Sequence, residues 1–403
     1  MTAHSTTELG KSAMVMRRST LIPPLTMVIS GVAFGLWQNL WFNREVNTTD
    51  NDTIPTPAGT TGDIVLTFVV PSYNVEDYLG RCLSSLLIEQ DLSDTEILIV
   101  NDGSKDGTAA LAREYEKRYP NVIRVIDQEN KGHGGAVNTG VANARGMYVK
   151  VVDADDWLDM VALRNVLAEL RTQARDKAPI DLLITNYTYE KQGKRIKQTI
   201  RYRSVLPVNR TLGWNDVKRF RPDQNLLMHS LIYRTKVLRE KAKLALPEHT
   251  FYVDDIYAYA PLPQVRTLMY MDEDLYRYFI GREGQSVEKD TMIRRIDQLI
   301  RVVRTMIDAT PSPDAVPAGL YRYMIHYLTI NMAIDSVFMV LSKDKENYRR
   351  KDELWAYLAE HAPEADTAVR RTMIGRALNV PGPVGRMLIH VGYGIAHNIV
   401  GVN

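Results

Sequence analysis

Three carboxylates fall within four positions at Asp153-Ala154-Asp155-Asp156, directly after the apolar run Tyr148–Val152. Carboxylates this crowded repel one another unless a cation holds them, and oxygen donors of this kind suit Mg²⁺ or Mn²⁺. Such an ion fits the departure of a diphosphate, because it neutralises charge gathering on the phosphate oxygens as the bond to them breaks. Asp155 is the expected metal ligand, and Asp153 is expected to hold a ribose or share the ion. The competing reading is a solvated acidic turn, with Asp156 or Asp159 capping a helix that starts at Met160.

A second acidic turn, Asn101-Asp102-Gly103-Ser104-Lys105-Asp106-Gly107, follows another apolar run. Asp102 is suited to accept from a base imide N–H or a ribose hydroxyl, and Gly103 lets a ligand approach the backbone. Ser104 and Asp106 suit the cap of the next helix. Pro71-Ser72-Tyr73-Asn74 offers backbone groups and an aromatic face for a base. Asn130-Lys131-Gly132-His133-Gly134-Gly135, followed by Asn138, is a Gly-rich turn opening a helix, where amide N–H groups and Lys131 suit phosphate. Each turn alone is common in loops that bind nothing; the four in order carry the weight.

The elements around these turns set their positions. Ile64–Pro71, Glu96–Val100, Val122–Asp127 and Tyr148–Val152 are short β-branched runs, each followed by apolar residues at helical spacing. That alternation predicts an α/β fold with a doubly wound, mainly parallel sheet, whose ligands bind beyond the carboxyl ends of the strands. Residues 182–282 read as a mixed, acceptor-side half with extended segments at 195–206, 226–234 and 267–279. From Thr291 the pattern is helical, with Ile293, Ile296, Leu299, Ile300 and Val303 on one face and a second helix over Tyr321–Leu341. The expected division is an extension and linker at 1–63, a catalytic domain at 64–289 and a C-terminal helical subdomain at 290–403.

Composition bounds the rest. With 403 residues, 45% of them hydrophobic, the chain can bury a full core. Its 50 Lys+Arg against 48 Asp+Glu leave a formal charge of +2, which offers no global field for nucleic acid. Cys82 is the sole cysteine, excluding an intrachain disulfide and any cysteine-built zinc cluster. Ser19–Asn43 carries no charge, yet Pro23, Pro24, Gln38 and Asn39 shorten its clean helix. It reads as a surface-associated helix or an upstream extension sooner than as a bilayer span, with Asn47–Gly62 as linker. The final Gly385–Asn403 stretch suits a membrane surface or a last packed helix, with packing favoured.

Together VVPSYN (Val69–Asn74), VNDGSKDGT (Val100–Thr108), NKGHGGAVNTG (Asn130–Gly140) and DADDW (Asp153–Trp157) resemble the family-2 glycosyltransferases of GT-A fold, over Ile64 to about Gly284. The resemblance implies that Pro71, Tyr73 and Asp102 contact the nucleotide, that Asp153 lies near ribose and diphosphate, and that Asp155 binds Mn²⁺ or Mg²⁺. It further implies a UDP-sugar donor, inversion at the anomeric carbon, and a glycan or lipid-linked acceptor in polysaccharide or wall-polymer synthesis. It also implies a place of work in the cytoplasm, at the inner face of the membrane. Inversion needs a general base, and Phe251-Tyr252-Val253-Asp254-Asp255 stands where the family has Glu-Asp before a helix. Val253 replaces the Glu, so alignment on the aromatic pair points to Asp254, with Asp255 in reserve. Arg282 falls in a stretch resembling the loop that closes over the diphosphate, and His229 in one resembling the acceptor-side strand. The rival readings are a sugar nucleotidyltransferase, which would need a basic Gly-rich loop after the first strand, and a degenerate saccharide-binding module.

Overall fold

The computed structural model describes residues 64–88, 92–191, 198–221, 224–280 and 289–400, without the side chains of 395–400. The apolar segment 19–43, the linker 47–62 and Arg282 lie outside these residues.

Strand β1 (Leu66–Ser72) and β2 (Thr95–Asn101) are buried along their whole length, as strands covered on both faces must be. Between them α1 (Glu76–Leu86) turns Leu79, Cys82, Leu83 and Leu86 inward. Next come α2 (Thr108–Arg118), β3 (Ile123–Asp127), α3 (Gly132–Asn143) and β4 (Tyr148–Val151). β1 pairs in parallel with both β2 and β4, and β2 with β3. The spatial order β3-β2-β1-β4 reverses direction between β1 and β4. The loops leaving those two strands therefore diverge and open a crevice. Gly140 of α3 lies so close to β1 that a Cβ there would collide with Val69 Cγ1.

Past β4 the alternation gives way to a mixed arrangement: β5 (Trp157–Leu158), α4 (Met160–Arg175), β6 (Leu182–Ile184), β7 (Tyr187–Lys191), β8 (Gln198–Ile200), β9 (Thr211–Leu212), β10 (Leu231–Arg234), α5 (Val253–Tyr259), β11 (Leu268–Tyr270) and β12 (Tyr276–Ile280). β10 inserts antiparallel between β4 and β6. The larger sheet runs β3-β2-β1-β4-β10-β6-β11-β9, and a smaller one runs β5-β12-β7-β8. Of the three expected extended segments, two are shorter than expected within the described residues. Only Gln198–Ile200 is strand in the first, and a 3₁₀ turn at Met228–Ser230 precedes β10 in the second. The third splits into β11 and β12 around an acidic loop.

The C-terminal part is α6 (Lys289–Arg294), α7 (Ile296–Asp308), α8 (Ala318–Leu341), α9 (Lys345–His361), α10 (Pro363–Arg371), α11 (Met373–Leu378) and α12 (Gly382–Val400). The helix expected through Thr291–Val303 is interrupted at Arg295, whose φ of −107° and ψ of 21° leave the helical region. Helix α8 is, by length and composition, apolar enough to cross a membrane, but 83% of its apolar window is buried within the protein, as in a core helix. Its Leu320, Met324, Leu328, Met332 and Phe338 join one hydrophobic cluster with Val69 and Val149 of the sheet. The helices are thereby coupled to the strands that carry the site.

Candidate active site

A cleft of about 470 Å³ opens where β1, β2 and β4 end. Pro71, Tyr73, Asp102, His133, Asp153 and Asp155 line it, and His249, Thr250 and Phe251 contribute a further wall. The backbone around it is held in unusual conformations. Asn74, His249 and Tyr252 have φ of 51°, 49° and 65°, a left-handed region that costs a side-chain-bearing residue energy and persists only where surroundings enforce it. At Gly132 (φ 74°) a Cβ would press on the His249 backbone, whose N–H donates to the Lys131 carbonyl at 2.8 Å. The Gly-rich turn and the 249–251 wall are thus locked together.

The acidic loop after β4 is braced from two sides. Asp156 is fully buried and accepts from the Tyr276 hydroxyl at 2.6 Å and the Phe279 amide at 2.7 Å, tying the loop to β12. Burial, then the charges of Asp155 and Asp153, push Asp156 well above the usual carboxylate value. Arg81 of α1 donates to the Asp155 carbonyl at 2.8 Å, its guanidinium 3.8 Å from the Trp157 ring centre and 4.7 Å from that of Phe279. Below the loop, the buried Cys82 thiol lies 3.7 Å from the Asp153 carbonyl. Of the two proposed helix caps, Asp159 takes the role, accepting from Val161 and Ala162 amides, while Asp156 does not.

Asp153 stands between two imidazoles. His133 Nε2 lies 2.9 Å from one carboxylate oxygen and His229 Nδ1 3.9 Å from the other. Burial pulls His133 down, but Asp153, with Asp254 and Asp155 beyond, outweighs it and holds the imidazole above its ordinary value. Burial drives His229 down to about 4 against the pull of Asp153. Burial likewise lifts Asp153, yet His133, His229 and Lys150 outweigh it and keep it below the ordinary carboxylate value. His229 Nδ1 is buried with no hydrogen-bond partner, and ligand atoms of Asp153, Asp156 and His229 lie within 4.8 Å of one another.

The two aspartates opening α5 have different surroundings. Asp255 accepts from the Tyr327 hydroxyl of α8 at 2.8 Å. Burial and the Asp254 charge push it up to about 8, so it carries a proton at neutral pH. Asp254 is raised too, by burial first, but His133 and backbone N–H groups oppose the rise. Asp335 of α8, 1% exposed with Oδ2 unpaired, is a third acid here, pushed well up by burial and Asp255.

The cleft therefore unites Pro71, Tyr73, Asp102, Asp153 and Asp155 of the expected residues. Asp102 is 2% exposed, and its Oδ1 accepts from Gln128 and the Lys131 amide. Three expected donor contacts have other work. Asn138 spends its amide on the Leu246 backbone, donating at 2.8 Å and accepting at 2.9 Å. Asn74 accepts from the Lys105 amide, cross-bracing the first two turns. Lys131 reaches Glu248 at 3.4 Å. None of the three lines the cleft. Sequence reasoning missed Arg81, Tyr276, Asp335 and the 249–251 wall. It placed His133 in a motif without seeing its bond to Asp153; a histidine among glycines at a helix start was the available signal.

Residues 67–229 match the family described as glycosyl transferase family 2. This stretch is a family 2 glycosyltransferase domain. The chain is 41% identical to the "uncharacterized glycosyltransferase EpsJ" of Bacillus subtilis over 112 residues, 28% of this chain and 32% of that one. It is 36% identical to the chondroitin synthase of Escherichia coli over 132 residues, 33% and 18% of the two chains. The chain thus spans a third or less of the length of these curated relatives. S. aureus TarS 1–349, solved with UDP-GlcNAc, superposes with a TM-score of 0.56 at 17% identity, covering 83% of this chain and 91% of that one. The shared fold is GT-A, with its α/β sheet and helical C-terminal region.

Proposed function

We propose that this glycosyltransferase moves a sugar from a UDP-sugar to an acceptor hydroxyl with inversion at the anomeric carbon. The acceptor is a glycan or lipid-linked chain in polysaccharide, glycolipid or cell-wall synthesis, met in the cytoplasm at the inner membrane face. The observation carrying the reading is the meeting of Tyr73, Asp102, Asp153 and Asp155 in one cleft at the point where the sheet order reverses. The complexes of TarS with UDP and UDP-GlcNAc support uracil as the base.

In this reading Pro71 and Tyr73 hold the base, Asp102 accepts from it or from the ribose, and Arg282 pairs with the diphosphate. The side chains also fit a divalent ion: His229 Nδ1 is buried without a partner beside the Asp153 carboxylate. Asp155 and Asp153, with His229, would hold Mn²⁺ or Mg²⁺, which when bound neutralises charge on the departing diphosphate. Asp156 is spent on Tyr276 and Phe279. Asp254 takes the acceptor proton as general base. Asp255, protonated and bonded to Tyr327, serves it by staying neutral.

Calorimetric titration of the full chain with UDP, GDP and dTDP, each with and without Mn²⁺, tests the donor class. Mn²⁺-dependent binding of UDP alone is the expected result. No binding by a folded sample would favour a degenerate saccharide-binding module.

A further inference from the structure

A second cavity, about 670 Å³, shares no lining residue with the cleft. Its walls are Lys218–Phe220, the α8 stretch from Gly319 to Thr329, and the junction of α10 and α11 around Arg371–Ile374. The interior is aromatic: Phe220 and Tyr323 lie 4.5 Å apart between ring centres, and His326 lies 6.2 Å from Phe220. Lys218, Arg219, Arg322 and Arg371 also line it, and no Asp or Glu among the described residues does.

That is four positive charges in one cavity of a chain whose whole formal charge is +2. Some arginines elsewhere are paired, Arg124 with Glu96, Arg171 with Asp94 and Arg277 with Asp159. Lys218, Arg219 and Arg371 have no ion pair among the described residues. A concavity lined by one sign of charge concentrates the opposite ion. Arg322 is oriented by donating to the Val217 carbonyl at 2.9 Å, and a guanidinium fork matches carboxylate or phosphate oxygens. Phe220 and Tyr323 are buried, but the half-buried rings of Tyr321 and His326 also line the cavity beside these cations, and such faces suit the C–H faces of sugar rings.

We propose that this cavity binds an anionic saccharide chain, one whose sugars bear carboxylate or phosphate groups. The wall ring Tyr323 lies 6.1 Å from Tyr327, which holds Asp255 beside the proposed base. The chain bound here is a remote part of the acceptor, an assignment that rests on the transfer reading; the binding itself does not.

The test is calorimetry on the full chain with tetragalacturonate, inorganic tripolyphosphate and neutral cellotetraose. It is repeated on the Lys218→Gln/Arg371→Gln double variant, whose side chains support nothing else in the fold. Tetragalacturonate is expected to bind saturably and at least tenfold more tightly than cellotetraose, with a loss of at least tenfold in the variant. Displacement by tripolyphosphate would support phosphate as an equivalent group. Equal binding of the neutral chain, tripolyphosphate binding without tetragalacturonate binding, or an unaffected variant would overturn the proposal. UDP titration of the same samples reports on the donor cleft alone, so failure of the transfer reading is seen separately. If tetragalacturonate binds as expected, the acceptor assignment requires the double variant to raise the KM for an anionic acceptor; an unchanged KM would overturn it.

Discussion

Replacing Asp255 with asparagine is expected to flatten the pH dependence of stability. Its carboxyl stands at about 8 in the fold, against 3.8 ordinarily, because burial and the Asp254 charge outweigh the Tyr327 bond. A group that keeps its proton when folded and loses it when unfolded contributes fully below the unfolded value. That contribution is lost as pH rises through the folded one. Each intervening unit costs about 1.4 kcal/mol, up to roughly 6 kcal/mol across the window from 3.8 to about 8. Asparagine has no proton to release, and its carbonyl still accepts from Tyr327. Urea unfolding of both proteins at pH 5, 6, 7, 8 and 9 reads the difference. The variant should gain on the wild type by about 1 kcal/mol per unit between pH 5 and 8 and be the more stable protein at pH 8. Parallel curves would mean that Asp255 is ionised throughout. The ground for assigning the base to Asp254 would then be lost.

Asp254→Asn should bind UDP as the wild type does while turnover falls by about 10²–10⁴, measured by calorimetry and product release. Asp156→Ala should cost roughly 2–4 kcal/mol by denaturant titration, because it strands the buried Tyr276 hydroxyl and Phe279 amide. Asp155→Ala should leave stability nearly unchanged and remove metal stimulation of turnover. Gly140→Ala should cost about 1–3 kcal/mol, since the added methyl has to displace Val69 and lift α3 from β1.

The parallel half of the sheet was legible because its elements announce themselves. β-branched runs such as Ile97–Val100 lead into helical spacing such as Leu79, Cys82, Leu83 and Leu86, and each strand end carries its polar residues within a few positions. The cleft was legible for the same reason, since Tyr73, Asp102 and Asp155 follow their strands directly. What was hidden depends on contacts between distant residues. Nothing near Asp156 in sequence says that Tyr276 will reach it, and Asn138 looks like a ligand until Leu246 arrives. The left-handed Tyr252 was equally invisible: an aromatic residue gives no local sign of a conformation that only its surroundings impose.

Cys82 bears on how the molecule can be watched. It is the sole thiol of the chain and fully buried, and its pKa is pushed well above normal by burial and by Asp156, Asp155 and Asp153. Toward alkylating reagents the folded protein therefore behaves as one without cysteine. A reporter dye on a single cysteine introduced at the cleft rim would speak for that position alone. The native thiol, lying beneath the Asp153 carbonyl, would serve as a clock, its slow labelling timing how often the acidic loop lifts away from α1.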